Sequence, residues 1–321
     1  MEGKLRRSRP AFTGLILLGA IALLFGLQEM LIPGSLSAGQ VLLISRQASA
    51  LGIIALGQAL VILSGGIDLS VGSMVLLTNV FAIAWMRGSD LNFARGVLLC
   101  LAMGAAVGAA NALGALVLKI APFVMTLCTM TILQGICFVY TKGAPTGSAA
   151  PLLRQLGTGY LFGIVPYSTA LWLLFSLILW YALTYTAYGR RLYAVGGNLK
   201  SARLCGISTF RVQFGAYVLS ALLSTVAGLL MSGYINTTSL SISSDFVNNS
   251  LAAVLIGGNA IEGGRGGIWG VALGAFFIML LFAILTMLSI GEAGKLVAQG
   301  LIIFIVVAGQ GLLKRGKGER A

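Results

Sequence analysis

Apolar runs follow one another along almost the whole chain, at about 11–32, 42–64, 71–86, 96–118, 121–140, 161–187, 213–235, 247–261, 266–290 and 295–313. About 20 consecutive apolar residues suffice for a helix to cross a bilayer core. The pattern predicts an all-α integral membrane protein of about ten transmembrane helices, forming a single polytopic domain over 1–321. The runs at 71–86 and 247–261 are short and flanked by glycines and polar residues, as broken or partial helices are. Between the runs two segments are long: 141–166, rich in Gly, Pro and Ser, and the basic segment 188–212.

Where the second run ends, the chain reads Val61-Ile62-Leu63-Ser64-Gly65-Gly66-Ile67-Asp68-Leu69-Ser70-Val71-Gly72-Ser73. A carboxylate between two apolar runs is costly in lipid unless it caps a helix or lines a wet cavity. Asp68 or Ser70 is positioned to cap a helix starting near Val71, after glycines that end the previous one. Asn249 and Ser250 stand near the start of the other short run. All four are candidates for lining a solute pathway, with helix capping or packing as the competing reading. A second glycine pair, Gly257-Gly258, also follows an apolar run and precedes an acid, Glu262.

Composition narrows the class. The chain is 58% hydrophobic and 9% charged, against about 25% charged in soluble domains. Its net charge of +13 does not make a nucleic-acid surface, because the basic residues cluster at the ends of apolar runs. With both termini cytoplasmic, only Arg46, Arg87, Arg95, Lys142, Arg154 and Lys295 of the 21 basic residues fall outside, which sets the orientation. The basic start, with Lys4, Arg6, Arg7 and Arg9, precedes a run too long for a signal peptide and reads as the approach to a first span. The chain has no histidine, so histidine-based catalysis and metal sites are ruled out. Four cysteines without CxxC spacing read as buried free thiols. The near-P-loop at 311–318 lacks the Ser/Thr and a preceding strand, and reads as a basic tail. No catalytic residue, metal or cofactor is expected, and the chain is not expected to be an enzyme.

The most informative polar stretch is 186–208, Thr-Ala-Tyr-Gly-Arg-Arg-Leu-Tyr-Ala-Val-Gly-Gly-Asn-Leu-Lys-Ser-Ala-Arg-Leu-Cys-Gly-Ile-Ser. It predicts a short amphipathic helix from about Leu199 to Cys205, with Asn198 as N-cap and Gly206 at the stop. A short helix on a basic, glycine-hinged loop suits a lever that pushes on a soluble partner. This stretch closely resembles the coupling loop of permease subunits of bacterial ABC sugar importers, the ribose/galactose/xylose type. Three other blocks resemble the same family, in order: the 61–73 stretch, Pro122-Phe123-Val124-Met125-Thr126-Leu127-Cys128-Thr129-Met130, and Leu251-Ala252-Ala253-Val254-Leu255-Ile256-Gly257-Gly258 with Gly263-Gly264-Arg265-Gly266. The resemblance runs from about 40 to 310. Departures from the family pattern fall at Val247-Asn248-Asn249, Glu262 and Gln134.

The resemblance implies a type II importer permease in the bacterial inner membrane, working with a cytoplasmic ABC ATPase, a periplasmic sugar-binding protein and a second permease subunit. The solute it implies is a monosaccharide; nucleosides and autoinducer-2-like molecules are the variants within the class, and an ion-driven secondary transporter is the alternative outside it. Coupling to the ATPase would fall to Arg190, Arg191, Gly197, Asn198, Ala202, Arg203 and Gly206. Ala202 is expected to face the partner, with Arg190 and Arg203 making charged contacts or lying against lipid headgroups.

Overall fold

A computed structural model describes residues 9–243 and 245–318. The helices, in chain order, are α1 (Arg9–Leu31), α2 (Ala38–Leu63), α3 (Val71–Met86), α4 (Phe93–Leu116), α5 (Pro122–Thr141), α6 (Pro151–Thr158), α7 (Tyr167–Tyr185), α8 (Ala187–Gly197), α9 (Leu199–Leu204), α10 (Thr209–Ile235), α11 (Phe246–Ile256), α12 (Ile268–Met287) and α13 (Glu292–Gly318). Among the described residues, seven helices are long and apolar enough to cross a membrane, and Val71–Met86 and Phe246–Ile256 are shorter apolar helices. Of the basic residues that bear on the orientation, Lys4, Arg6, Arg7 and Arg320 lie outside the described residues.

The core is built around α2. Every residue from Ala48 to Leu63 is buried, so this helix is apolar on all sides and is packed by protein on all sides. Helices α7, α10, α11 and α12 surround it. The outer helices keep apolar faces uncovered: Leu98 on α4, Val139 on α5 and Leu177 on α7 are exposed, as lipid-facing positions are. In lipid, helix association rests on close backbone approach. On α4, a Cβ at Gly108 would come within 2.8 Å of the Tyr217 carbonyl oxygen of α10, so the small-residue stretch Gly104–Ala110 read from the sequence lies at this crossing.

Three expectations need correcting. The run at 161–187 is not one helix: Tyr160–Leu161 and Val165–Pro166 form an antiparallel hairpin (β1, β2) before α7. Positive φ at Phe162 and Gly163 makes that turn. The segment 141–166 also contains α6, which packs on α10. Of the four thiols, Cys100 and Cys137 are buried, but Cys128 and Cys205 are exposed.

Both glycine pairs end helices in the same way. Gly65, with φ +85°, donates to Ile62 O and Gly66 donates to Val61 O, each at 2.9 Å. Gly258, with φ +83°, donates to Leu255 O at 3.0 Å and Asn259 donates to Val254 O at 3.2 Å. This paired bonding satisfies the last free carbonyls and needs a left-handed residue, which glycine adopts without a Cβ clash.

Candidate functional site

The segment 188–212 is more ordered than a hinged loop. Helix α8 starts at Thr186, whose side chain accepts from Gly189 N, and buries Leu192 and Val195. Tyr188, Leu192 and Val195 follow the i, i+4, i+7 spacing of one helix face, the signal by which the sequence shows this helix. Helix α9 follows as expected: Asn198 Oδ1 accepts from Ser201 N at 3.0 Å, and Gly206 takes φ +74° while Ile207 N returns to Ala202 O at 3.0 Å. The expected orientation of Ala202 is reversed. Ala202 is buried within the protein's own core, and Leu204 projects outward with 89% of its surface exposed. The reason is helical phase, since two residues of separation turn side chains to different faces. Arg190, Arg191 and Arg203 are exposed; Arg190 Nη1 donates to Tyr185 O at 3.5 Å and Arg203 Nε donates to Thr209 Oγ1 at 3.1 Å.

The paired glycines of α8 make a backbone contact. A Cβ on Gly196 would strike the carbonyl oxygen of Leu63 and the amide of Gly264, while a Cβ on Gly197 would meet nothing. Gly264 N in turn donates to Leu63 O at 3.0 Å. The end of α2, the end of α8 and the 259–267 turn therefore meet backbone to backbone. Gly196 and Gly264 are the residues that make this junction possible, and neither is among the site candidates read from the sequence.

Close to this junction, Asp68 is fully bonded and buried. Its Oδ1 accepts from Ser70 N at 3.0 Å and Ser70 Oγ at 2.6 Å, and its Oδ2 accepts from Ser220 Oγ of α10 at 3.1 Å. Ser70 Oγ accepts from Asn111 Nδ2 of α4 at 2.8 Å, and Asn111 Oδ1 accepts from Thr129 Oγ1 of α5 at 2.6 Å. Ser70 occupies the N-cap position of α3 but makes no side-chain capping bond; its hydroxyl serves the network instead. Gln213 Nε2 also donates to Ser64 O at 3.1 Å. The break after α2 is thus tied to α4, α5 and α10 by side chains whose polar demands are met.

The opposite ends of α2 and α10, together with α7, α11, α12 and α13, line a cavity of ≈ 660 Å³. Its wall includes Arg46 of α2, Ser168 of α7, Tyr234 of α10, Asn249 of α11 and Phe282 of α12. Of the four pathway candidates, Asn249 is on this wall; Asp68, Ser70 and Ser250 are not. Ser250 is buried and donates to Val247 O at 3.0 Å. Asn249 Oδ1, Ser168 Oγ and Arg46 Nε and Nη2 are buried and have no hydrogen-bond partner among the described residues. The Arg46 guanidinium carbon lies 4.4 Å from the centre of the Tyr160 ring, so the β1–β2 hairpin is attached to this wall by a cation–π contact. Sequence alone gives Arg46 only a place in the orientation count; a lone arginine inside an apolar run is the signal that marks it.

Residues 40–307 match the family described as the branched-chain amino acid transport system permease component. The chain belongs to that family of importer permeases. This permease is 36% identical over 308 residues to the ribose import permease protein RbsC of Bacillus subtilis, covering 95% of this chain and 93% of the relative. It is 35% identical over 295 residues to RbsC of Haemophilus influenzae, covering 90% of each. It is 32% identical to the fructose import permease protein FrcC of Rhizobium meliloti, covering 94% and 85% respectively. No solved structure matches it. The family and these relatives make the permease a sugar ABC importer subunit and a multi-pass membrane protein, a transporter component in place of an enzyme.

Proposed function

We propose that the permease carries a monosaccharide across the bacterial inner membrane, receiving it from a periplasmic binding protein and driven by ATP hydrolysis on a separate cytoplasmic ATPase. The observation that carries the coupling part is α9: a capped short helix, with Leu204 projecting and basic residues around it, seated on α8 at the end of α2. Displacement of α9 by a partner bears directly on the Gly196–Leu63–Gly264 junction and, through it, on the break that holds Asp68. The engagement of Asp68 by Ser70 and Ser220 favours a structural role over an ion-coupling site, and so weighs against a secondary transporter. About ten spans, cytoplasmic termini and a second permease subunit completing the pathway belong to the same reading.

The test is Leu204→Asp in the reconstituted importer. The variant is expected to insert in the membrane and to lose either ATPase binding or the link between hydrolysis and uptake. Uptake at the wild-type rate overturns the coupling assignment. Reporter fusions after Arg203 and after Ser148 check the orientation, the first expected in the cytoplasm and the second in the periplasm.

A further inference from the structure

We infer that Arg46, Ser168 and Asn249 form a polar clamp for the transported solute in the ≈ 660 Å³ cavity, and that the clamp selects a hydroxyl-bearing solute. This rests on the reading of the chain as a sugar importer subunit and adds the residues that discriminate. Three side chains on one cavity wall carry buried polar atoms without a partner among the described residues: Asn249 Oδ1, Ser168 Oγ and Arg46 Nε and Nη2. A buried polar atom left unpaired is costly, and folded proteins keep few of them. Others exist here, such as Ser73 Oγ and Ser224 Oγ, but those two residues are not on the cavity wall.

The chemistry of the three atoms restricts what satisfies them. Nε and Nη2 lie on the same edge of the guanidinium and together match two adjacent oxygens. Asn249 Oδ1 only accepts, so the solute must also donate. Ser168 can do either. A solute with neighbouring hydroxyls meets all three demands, because each hydroxyl donates once and accepts from others. A simple carboxylate supplies oxygens to Arg46 but nothing to Asn249, and an amine alone donates to Asn249 but offers Arg46 nothing. An amino-acid zwitterion, whose ammonium Asp245 and Glu292 of the same wall would also attract, is the competing solute that the leucine measurement tests. Engaging a solute requires these side chains to rotate toward the lumen, since their free polar atoms are buried in this structure; the Arg46 guanidinium carbon lies 4.4 Å from the centre of the Tyr160 ring.

The experiment is uptake by the whole importer, with its ATPase and binding protein, in proteoliposomes. The probes are radiolabelled D-ribose, its 2-, 3- and 5-deoxy analogues, D-fructose and L-leucine. One binding protein serves every variant, so a change in the preference for a sugar over its deoxy analogue originates in the permease. Arg46→Lys keeps the charge and loses the fork; Asn249→Leu keeps the bulk and loses the acceptor. Each is expected to lower sugar uptake by about tenfold or more and to shrink the preference over at least one deoxy analogue, in protein that still co-purifies with the ATPase. Ser168→Ala removes one oxygen and gives a third measurement should either larger change prevent assembly, with a fall of about threefold expected. Normal sugar uptake, or equal losses for every sugar and deoxy analogue, overturns the clamp and leaves the sugar reading standing. Uptake of leucine and of no sugar by the wild type overturns the sugar reading and the hydroxyl assignment with it.

Discussion

The two ends of the α2 bundle handle polarity in opposite ways. At the α8–α9 end, Asp68, Ser70, Asn111, Thr129 and Ser220 bond to one another across α3, α4, α5 and α10, and backbones touch through Gly196 and Gly264. At the cavity end, Arg46, Ser168 and Asn249 hold buried atoms with no partner among the described residues. Satisfied polar groups in a dry interior fix a unique packing, while unsatisfied ones mark where something else completes the bonding. On the proposed function, one end transmits force and the other meets a solute. Serine and asparagine do not make this distinction, since both clusters use them: Ser70, Ser220 and Asn111 at one end, Ser168 and Asn249 at the other.

The largest effect expected from breaking this contrast is at Gly196. Any Cβ there collides with the Leu63 carbonyl oxygen and the Gly264 amide, and backbone cannot move aside as a flexible side chain can. Gly196→Val is expected to destabilise the protein by about 3 kcal/mol or more, or to prevent its accumulation in the membrane. Gly197→Ala, one residue on, meets open space and is expected to be tolerated. Thermal unfolding in detergent measures both. Equal behaviour of the two variants would remove the backbone junction from the account.

Next in size is Asp68. Removing its carboxylate orphans Ser70 N, Ser70 Oγ and Ser220 Oγ together, and each buried unpaired group costs about 1–3 kcal/mol. Asp68→Ala is expected to lose about 3 kcal/mol after relaxation, and Asp68→Asn, which keeps one acceptor oxygen, about half of that. A stabilising or silent Asp68→Ala, read from the same unfolding measurement, would mean that the network does not hold α3, α4, α5 and α10 together.

How much of this the sequence exposes depends on whether the determinant is local. The caps of α9, Asn198 and Gly206, are legible because an N-cap bond and a left-handed stop involve residues a few positions apart. The glycine pairs at 65–66 and 257–258 are legible as helix ends for the same reason. The inward turn of Ala202 is only half legible, since a six-residue helix has too few positions to define a face before its neighbour is known. Contacts such as Gly196 with Leu63, Asp68 with Ser220, and the shared wall of Arg46 and Asn249 join residues far apart in the chain. They depend on the packed bundle, and no single-sequence periodicity encodes them. The hairpin at 160–166 is hidden by its apolar composition, which continues the pattern of α7.

A smaller effect separates the Gly196–Leu63–Gly264 junction from α9, the short helix that follows it. Asn198 Oδ1 bonds Ser201 N in the first turn of α9, and loss of an N-cap costs about 0.5–2 kcal/mol. Asn198→Ala is therefore expected to lower stability by about 1 kcal/mol, while Asn198→Asp retains the cap and the stability. If α9 transmits motion, the Ala variant also hydrolyses more ATP per sugar carried, because a frayed helix yields under load. An unchanged ratio of hydrolysis to uptake, in a variant that has lost the stability, would separate the cap from coupling.

The smallest expected stability change sharpens the contrast between the ends most directly. Ser168 Oγ is buried on the cavity wall and has no partner among the described residues, so its hydroxyl carries a desolvation cost with no bond to offset it. Ser168→Ala removes that cost and a single oxygen atom, and the space left is too small to count as a cavity of consequence. The expected change is within about 0.5 kcal/mol, toward greater stability if of either sign. Ser220→Ala, at the other end, removes a hydroxyl of the same size that bonds Asp68 Oδ2 at 3.1 Å. It leaves that oxygen without its partner and is expected to cost about 1–3 kcal/mol. The pair holds residue type, burial and size constant and changes only whether the hydroxyl is bonded. Equal losses from the two substitutions would show that Ser168 is satisfied in the membrane, and would return the cavity wall to the same structural class as the Asp68 network.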